Sequence, residues 1–385
     1  MTASRREAMA AYGFLLPNFL GFLAFTSIPV VISLVMAFSH WNIFRPPSWV
    51  GLENFQSLLW FRREGGELVV NDPFFWQYVY NTVFLMAGIP VGMAGSLIVA
   101  LMMNQRLRGI VVLRTVYFLP TVCSGVALLI LWKYLYNADI GLINKGVRLI
   151  GAAIYASKPL AIVFTVFCAI IFGLAATAAA ACVLALVRYM SSKLRREWSE
   201  GVLRALVVLT GAATFILIGV YGRSIYAYVA GFFATPPDWL GTVQWSKPSL
   251  ILMGLWGGLG GYNMILYLAA LQGVPTSYYE AAEIDGAGGW AKFWAVTWPM
   301  ISPTTFFILI MSIIGGFQSG FMTANIMTGG GPAGSTTTVE YYLYQTAFEK
   351  FNMGYASAIA WFIFAVILLL TRLTWRIGGK VVVYE

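Results

Sequence analysis

Charged residues are scarce in this chain of 385 residues. Aspartate, glutamate, lysine and arginine make up only 10% of the sequence, whereas 59% of the residues are hydrophobic and the mean hydropathy is +0.77. A soluble domain contains about 25% charged and about 45–50% apolar residues. This chain cannot bury its apolar surface in a water-soluble core, so the composition predicts a membrane protein that crosses the bilayer several times.

Histidine and cysteine are also rare. His40 is the only histidine, and the three cysteines lie inside apolar runs, with no CxxC pair and no disulfide framework. Paired carboxylates and a nucleophile beside a histidine are missing, and no GxxxxGK[ST] phosphate loop occurs. We therefore expect no metal site, no cofactor and no catalytic or ATP site in this chain. The glycines of Gly329–Pro332 are interpreted as a tight external turn.

What the sequence does have is long apolar runs. Crossing about 30 Å of hydrocarbon takes about 20 helical residues, and eight runs reach that length, with lysine and arginine near their ends. This predicts an all-α protein with about eight transmembrane helices. The runs cover roughly 11–38, 77–103, 112–132, 159–187, 205–222, 249–271, 302–323 and 354–371.

The basic residues set the orientation. Most of them fall in short loops on the side that holds both termini, as cytoplasmic loops do. Both termini are therefore expected in the cytoplasm, and the net charge of +9 is ascribed to loop ends rather than to a nucleic-acid-binding patch. On the other side, Trp49–Leu59 and Gly141–Ala153 are either short amphipathic helices along the membrane surface or ordinary loops.

Neutral polar residues interrupt two of the runs. They are costly in lipid unless they face a cavity or another helix, so they either line a path for a polyhydroxylated solute or join helices. Because lysine and arginine stay near the run ends, an uncharged solute is favoured. The intramembrane carboxylates typical of ion-coupled carriers are missing, although a stand-alone carrier or channel for a neutral polar solute stays open as the alternative. The candidate path residues are Tyr262, Asn263, Gln318, Ser319 and Thr323.

A polar segment, Glu280–Pro299, separates two apolar runs and falls on the cytoplasmic side. Its first residues favour a short helix that stops at Gly286. A second short helix is expected over Trp290–Val296, ending before Pro299. Two such helices on the membrane face could fill a cleft on a partner protein, or form a surface hairpin without one.

The segment resembles the EAA loop of ABC-importer permeases, whose pattern is EAA, three residues, Gly, nine residues and Ile-x-Leu-Pro. It matches at Glu280, Ala281, Ala282, Gly286 and Pro299, and departs at Val296 and Trp298. Other stretches, including WVGLENFQSLL, RTVYFLPTV and NIMTGGGPAGSTTTVEYYLYQTAFEKFNMGYASA, are similar to carbohydrate-uptake permeases of the MalF and UgpA type. The resemblance covers about 1–150 and 239–385.

The resemblance implies a type I ABC-importer permease fold, with 1–385 as a single transmembrane domain and 272–301 as the cytoplasmic coupling loop. It also implies that 155–238 is an inserted two-span hairpin outside a six-span core and in contact with membrane lipid. The residues expected to couple to the ATPase are Glu280, Ala281, Ala282, Glu283, Asp285 and Gly286.

The implied function is ATP-driven, binding-protein-dependent import of a sugar, oligosaccharide, polyol or glycerol phosphate across a bacterial or archaeal cytoplasmic membrane. The implied partners are a second permease subunit, two cytoplasmic subunits that bind the ATP, and an extracytoplasmic solute-binding protein.

Overall fold

Helices dominate the computed structural model, which describes residues 3–64, 67–105, 109–171, 173 and 223–378, together with 205, 209 and 212. The predicted span 205–222 and the end of the run 159–187 therefore lie outside the described residues, apart from those three positions and 173. The chain forms two compact units, one made of Met1–Lys133 with Leu240–Glu385 and a second made of Tyr134–Trp239.

The elements follow one another in this order. The helices up to residue 234 are α1 (Ala3–Phe22), α2 (Ile28–Ala37), α3 (Glu53–Leu59), α4 (Pro73–Met86), α5 (Gly88–Met103), α6 (Ile110–Val122), α7 (Gly125–Leu135), α8 (Leu142–Tyr155), α9 (Lys158–Ile171) and α10 (223–234). The later helices are α11 (Val243–Gly260), α12 (Tyr262–Gly273), α13 (Thr276–Ile284), α14 (Gly289–Lys292), α15 (Trp298–Gln318), α16 (Gly320–Thr323), α17 (Val339–Tyr344) and α18 (Met353–Gly378).

Short strands and wide helical turns complete the fold. Two small antiparallel hairpins pair β1 (Ser39–His40) with β2 (Ser48–Trp49) and β3 (Phe61–Glu64) with β4 (Glu67–Val70). The turns are π-helical, which opens the backbone ladder locally. They cover Leu23–Ser27, Phe293–Thr297, Ala324–Thr328 and Gln345–Glu349.

In the described residues, five helical segments are long and apolar enough to cross a membrane, or seven if two bent pairs each count as one span. This agrees with the polytopic all-α prediction. The first bent pair, α6 with α7, turns through 99°, and the second, α8 with α9, through 119°. The five segments are Met9–Ala37, Pro73–Met103, Val243–Gly273, Gly289–Gln318 and Met353–Arg376.

One predicted span is not a continuous helix. The run 112–132 breaks where Cys123 adopts an extended conformation between α6 and α7. Pro120 lies inside the last turn of α6, where it removes a backbone donor and crowds the preceding turn. The apolar composition predicted the run correctly but not its division into two helices.

The two segments expected to be either amphipathic helices or loops are helical. Trp49–Leu59 contains α3, and Gly141–Ala153 corresponds to α8. In the second unit, Asn144 on α8 accepts a hydrogen bond from the Trp239 indole, and Gly151 leaves room for Phe233.

The core of the first unit has two apolar clusters. One joins α5, α12 and α15 through residues such as Met264, Tyr267 and Ile301, and the other joins α3, α4, α17 and α18 around Phe75. The helix α11 also packs along α4 and α5. Because small residues of α5 face its leucines, the two backbones approach closely.

Buried polar side chains fasten the irregular segment 329–344 to α4. The Asn81 amide donates to Gly334 O at 2.8 Å and to Thr337 O at 2.9 Å. The Thr82 hydroxyl accepts from Val339 N at 3.0 Å. These bonds satisfy backbone groups that no helix pairs, which an apolar surrounding requires.

Replacing Asn81 with alanine is expected to destabilise the protein by about 1–3 kcal/mol, because a buried carbonyl, that of Thr337, and a partly buried one, that of Gly334, lose their donor. The measurement is thermal unfolding of the purified protein in detergent. Exposed Asn325→Ala is the control and should change stability by less than about 0.5 kcal/mol. Equal effects of the two substitutions would contradict this role for Asn81.

Candidate functional site

The coupling-loop segment forms a helix, a sharp turn and a second helix. Where α13 ends, Gly286 has a φ of +74°, Gly286 N donates to Glu283 O at 3.0 Å, and Ala287 N donates to Ala282 O at 2.9 Å. These two bonds are those of a Schellman motif, which satisfies the last carbonyls of a helix and needs a left-handed residue after its cap. Glycine is favoured there because it has no Cβ.

The outer face of α13 is open. Glu280 and Asp285 are exposed, and Ile284, between them in the chain, is 87% exposed. This end of the helix therefore presents two carboxylates and one apolar side chain at its surface.

An ion pair closes the two helices onto each other. Lys292 Nζ donates to Glu283 Oε1 at 2.6 Å. That hydrogen bond, followed by the positive charge of Lys292, lowers the pKa of the Glu283 carboxyl. Glu283 is thus held by Lys292, whereas Glu280 and Asp285 are exposed and form no ion pair among the described residues.

Aromatic residues anchor the second helix of the loop. Phe293 and Trp294 pack with their ring centroids 5.1 Å apart, and Trp298 lies 5.8 Å from Trp294. Trp298 and Phe293 also pack against the buried cluster around Ile301. Trp298, which departs from the family pattern, thus fills the place where the loop enters the core.

The sequence predicted that the second helix ends before Pro299, but this prediction is wrong. It continues from Gly289 to Gln318 through the π-helical turn Phe293–Thr297. In that turn Trp298 N donates to Phe293 O, which is five residues earlier instead of the usual four. The pattern of backbone hydrogen bonds is therefore already shifted by one residue before Pro299, which has no N–H to donate. The loop and the next span therefore share one helical axis.

A cavity of about 260 Å³ lies in the first unit between α4, α5, α11 and α15. Its wall combines apolar side chains with hydroxyl and amide groups and has no charged residue among the described lining. Such a wall can hold a molecule that has both hydroxyl groups and apolar ring faces. The polar lining residues are Thr82, Asn263, Ser312, Ser319, Thr323 and Thr338.

Three of the five predicted path residues line this cavity: Asn263, Ser319 and Thr323. Tyr262 does not, because it opens α12 after the break at Gly261 and is 73% exposed. Gln318 is exposed as well and lies outside the lining.

The sequence prediction missed other lining residues, and helical spacing would have found two of them. Ser312 and Gly316 precede Ser319 by seven and three residues, which places them on the same face of α15. Gln318 falls off that face. No sequence spacing points to Thr82 and Thr338, because they line the cavity only where segments distant in sequence pack together.

Breaks in two helices border the cavity. At the end of α11, a Cβ on Gly260 would meet Tyr117 O at 2.5 Å, so only glycine allows α6 to approach so closely. At the end of α15, Phe321 N donates to Glu340 Oε2 at 2.8 Å, which caps the chain after the break at Ser319. Burial raises the pKa of the Glu340 carboxyl, and the bonds from Phe321 and Gly320 lower it in part.

The chain matches the family model described as "Binding-protein-dependent transport system inner membrane component" over residues 88–377. It belongs to this family. The permease is thus a multi-pass membrane protein and a transport component of the sugar ABC-importer class.

Individual relatives agree with the family. The permease is 28% identical to the "Probable ABC transporter permease protein YesP" of Bacillus subtilis, covering 99% of this chain and 94% of the relative. It is 30% identical to the "Lactose transport system permease protein LacF" of Rhizobium radiobacter, covering 79% and 76%.

A solved structure shows the same fold. It is described as a bacterial alginate ABC transporter in complex with an alginate pentasaccharide-bound periplasmic protein. The TM-score is 0.63 at 18% identity, and the match covers 98% of this chain and 96% of that one. The predicted ABC-importer permease fold is confirmed.

Gly286→Ala is expected to loosen the turn of the permease locally. No atom lies within 4 Å of the added Cβ, so the cost is that of a left-handed alanine, on the order of 1 kcal/mol or about fivefold in the opening equilibrium. Amide hydrogen exchange in the peptide 276–292 should accelerate by that factor, while the melting temperature stays unchanged.

The matched control is Gly288→Ala. Gly288 also has open space around it, but its φ is −70°, which alanine adopts freely. Similar exchange rates in the two variants would show that the left-handed turn does not hold the loop.

Proposed function

We propose that the permease forms the translocation path of an ATP-driven importer and that segment 272–301 couples this path to a separate ATPase. The observation that carries the proposal is the exposed helix pair, closed by Gly286 and continuous with a span. The coupling residues are Glu280, Ala281, Ala282, Glu283, Asp285 and Gly286.

The helix from Gly289 to Gln318 supplies the mechanical link. Its 30 residues extend over about 45 Å at 1.5 Å per residue. One end belongs to the coupling loop, and the other end carries Ser312 and Gly316 to the cavity. When the ATPase subunits close and move the loop, a rigid helix transmits the displacement to the cavity wall.

The partners in this proposal are a second permease subunit, two cytoplasmic ATP-binding subunits and an extracytoplasmic solute-binding protein. The ATP is bound by the partner subunits, and this chain binds no cofactor and no metal. Both termini are cytoplasmic, and the membrane is the cytoplasmic membrane of a bacterium or archaeon. The periplasmic protein in the solved relative supports the solute-binding protein as a partner.

The proposed solute is a sugar, an oligosaccharide or a related polyol or glycerol phosphate. Hydroxyl and amide groups around the cavity can bond the hydroxyls of such a molecule, while Met86 and Ile89 offer apolar contact to its ring faces. The path in this proposal includes Asn263, Ser319 and Thr323, whereas Tyr262 and Gln318 lie outside the lining of the cavity. The carbohydrate names of the relatives support this class.

Residues 155–238 are proposed to be an insertion that packs outside the six-span core and meets membrane lipid. The amphipathic character of neighbouring α8 is in keeping with a region at the membrane surface.

Glu280→Lys is expected to abolish transport while leaving the protein in the membrane, because the charge reversal opposes docking at the ATPase. Solute-stimulated ATP hydrolysis by the reconstituted complex is the measurement. The control Glu67→Lys makes the same change at another exposed glutamate, in β4, and should leave hydrolysis intact. Normal stimulation in Glu280→Lys would rule out the coupling role.

Ser319→Phe is expected to reduce solute uptake at least about tenfold, because a phenyl ring would fill much of the cavity. Gln318→Phe, at the adjacent residue outside the lining, should change uptake much less. Uptake into proteoliposomes is measured at equal amounts of assembled complex. A stronger effect of the Gln318 substitution would place the path elsewhere.

The importer and a stand-alone carrier are distinguished by purification. If the permease belongs to an importer, an ATPase should copurify with it under mild conditions. A stand-alone carrier would transport solute without an ATPase.

A further inference from the structure

A groove lies between α9 and α10 in the second unit of the permease and has a volume of about 580 Å³. The α9 residues that line it recur at helical spacing, so they share one face of that helix. They are Lys158, Ile162, Thr165, Val166 and Ala169. From α10, Arg223, Ile225 and Tyr226 complete the described lining. This groove and the cavity of the first unit share no described lining residue.

Aromatic contacts keep the helices around the groove together. The centroid of the Tyr226 ring lies 5.6 Å from that of Tyr155, the last residue of α8. The Phe233 ring lies 5.7 Å from that of Phe164. Such ring pairs stabilise a structure beyond the area that they bury. The two walls of the groove are therefore held by packing among α8, α9 and α10.

The wall of the groove suits hydrocarbon. Ile162 and Ala169 are apolar and at least partly exposed, and the Thr165 hydroxyl donates to Ala161 O at 2.8 Å within α9. Contact with hydrocarbon therefore does not leave that hydroxyl unsatisfied. Between Lys158 and Ala169 the helix rises about 16 Å, roughly half of the ~30 Å hydrocarbon core of a bilayer. This length fits an acyl chain of one leaflet.

Two basic side chains line the groove without a described counter-charge. Lys158 and Arg223 are exposed, and neither forms an ion pair within the described residues. The described lining contains no carboxylate. Lys158 is also the first residue of α9, where the positive end of the helix dipole disfavours a cation and favours an anion. An anionic group near Lys158 is thus stabilised by the ammonium group and by the helix end together.

Charge and shape together select the class of ligand. A neutral lipid would leave both cations uncompensated, and a small soluble anion would leave the apolar wall uncovered. A phospholipid with a net negative headgroup meets both requirements, because its phosphate pairs with the cations and its acyl chain covers the wall.

We propose that this groove binds an anionic phospholipid of the membrane, with the headgroup phosphate at Lys158 and Arg223 and an acyl chain along Ile162, Thr165 and Ala169. The inference rests on the proposed contact of residues 155–238 with membrane lipid, to which it adds a site and a headgroup preference. The lipid bridges α9 and α10 as a ligand of this unit.

The test uses the complete complex in proteoliposomes that contain a trace of photoactivatable lipid. Phosphatidylglycerol and phosphatidylcholine carry the same diazirine-labelled acyl chain, so the two probes differ only in the headgroup and its charge. After illumination, labelling is quantified by mass spectrometry in the tryptic peptide 149–188, which contains α9. Because Pro159 follows Lys158, trypsin does not cut there, and the peptide has the same ends in every variant.

In the wild type, phosphatidylglycerol should label this peptide at least about fivefold more than phosphatidylcholine. Lys158→Gln and Arg223→Gln should each lower phosphatidylglycerol labelling about fivefold, which is the loss expected for one basic residue beside an anionic lipid. Lys145→Gln, at an exposed lysine of α8 outside the lining, is the matched control and should have no effect.

Filling the groove tests its apolar wall. Ala169→Phe should reduce labelling by both lipids, because a phenyl ring occupies part of the groove. Ile170→Phe, at the adjacent exposed residue outside the lining, should leave labelling unchanged. Equal labelling in these two variants would contradict the placement of the chain.

Three outcomes would overturn the headgroup site alone: equal labelling of the wild type by the two lipids, unchanged labelling in both Lys158→Gln and Arg223→Gln, or an equal loss in Lys145→Gln. If neither lipid labels the peptide, the proposed lipid contact of residues 155–238 is contradicted as well. The importer function is judged separately, by solute-stimulated ATP hydrolysis in the same preparation.

Discussion

Every backbone N–H and C=O group inside a bilayer needs a partner within the protein, because hydrocarbon offers none and an unpaired group costs several kcal/mol. Helices meet this requirement over most of the permease. Where helices are interrupted, side chains replace the missing partners: Asn81 for Gly334 and Thr337, and Thr82 for Val339. The irregular backbone that reaches the cavity is tolerated only because these bonds are made.

The same constraint explains why the proposed functional features coincide with helix breaks. The breaks at Gly261 and Ser319 border the cavity, and Glu340 caps the chain beyond the second of them. At the end of α13, the turn at Gly286 satisfies the helix carbonyls within the backbone, and the carboxylates of Glu280 and Asp285 stay exposed. The chain after Ser319 and the turn at Gly286 are each closed by specific hydrogen bonds.

The two proposed sites are joined by one continuous helix. Because of the π-helical turn before Pro299, the helix that begins in segment 272–301 continues to the cavity without a hinge. A displacement of the segment can therefore be transmitted along this helix. The ring stack around Trp298 stiffens the entry into the core.

The sequence by itself determined the class, most of the long apolar helices and the turn at Gly286. Hydropathy and the spacing of Glu280, Ala281, Ala282 and Gly286 are local properties, and the left-handed turn at Gly286 follows from glycine alone. Only the tertiary structure decided that α6 breaks at Cys123, that Pro299 continues a helix, and which side chains meet at the cavity. Ser319 and Gln318 are neighbours in the chain, yet only Ser319 lines it. Contacts such as Lys247 with Tyr80 join residues far apart in sequence, and the register that brings them together is set by helix packing.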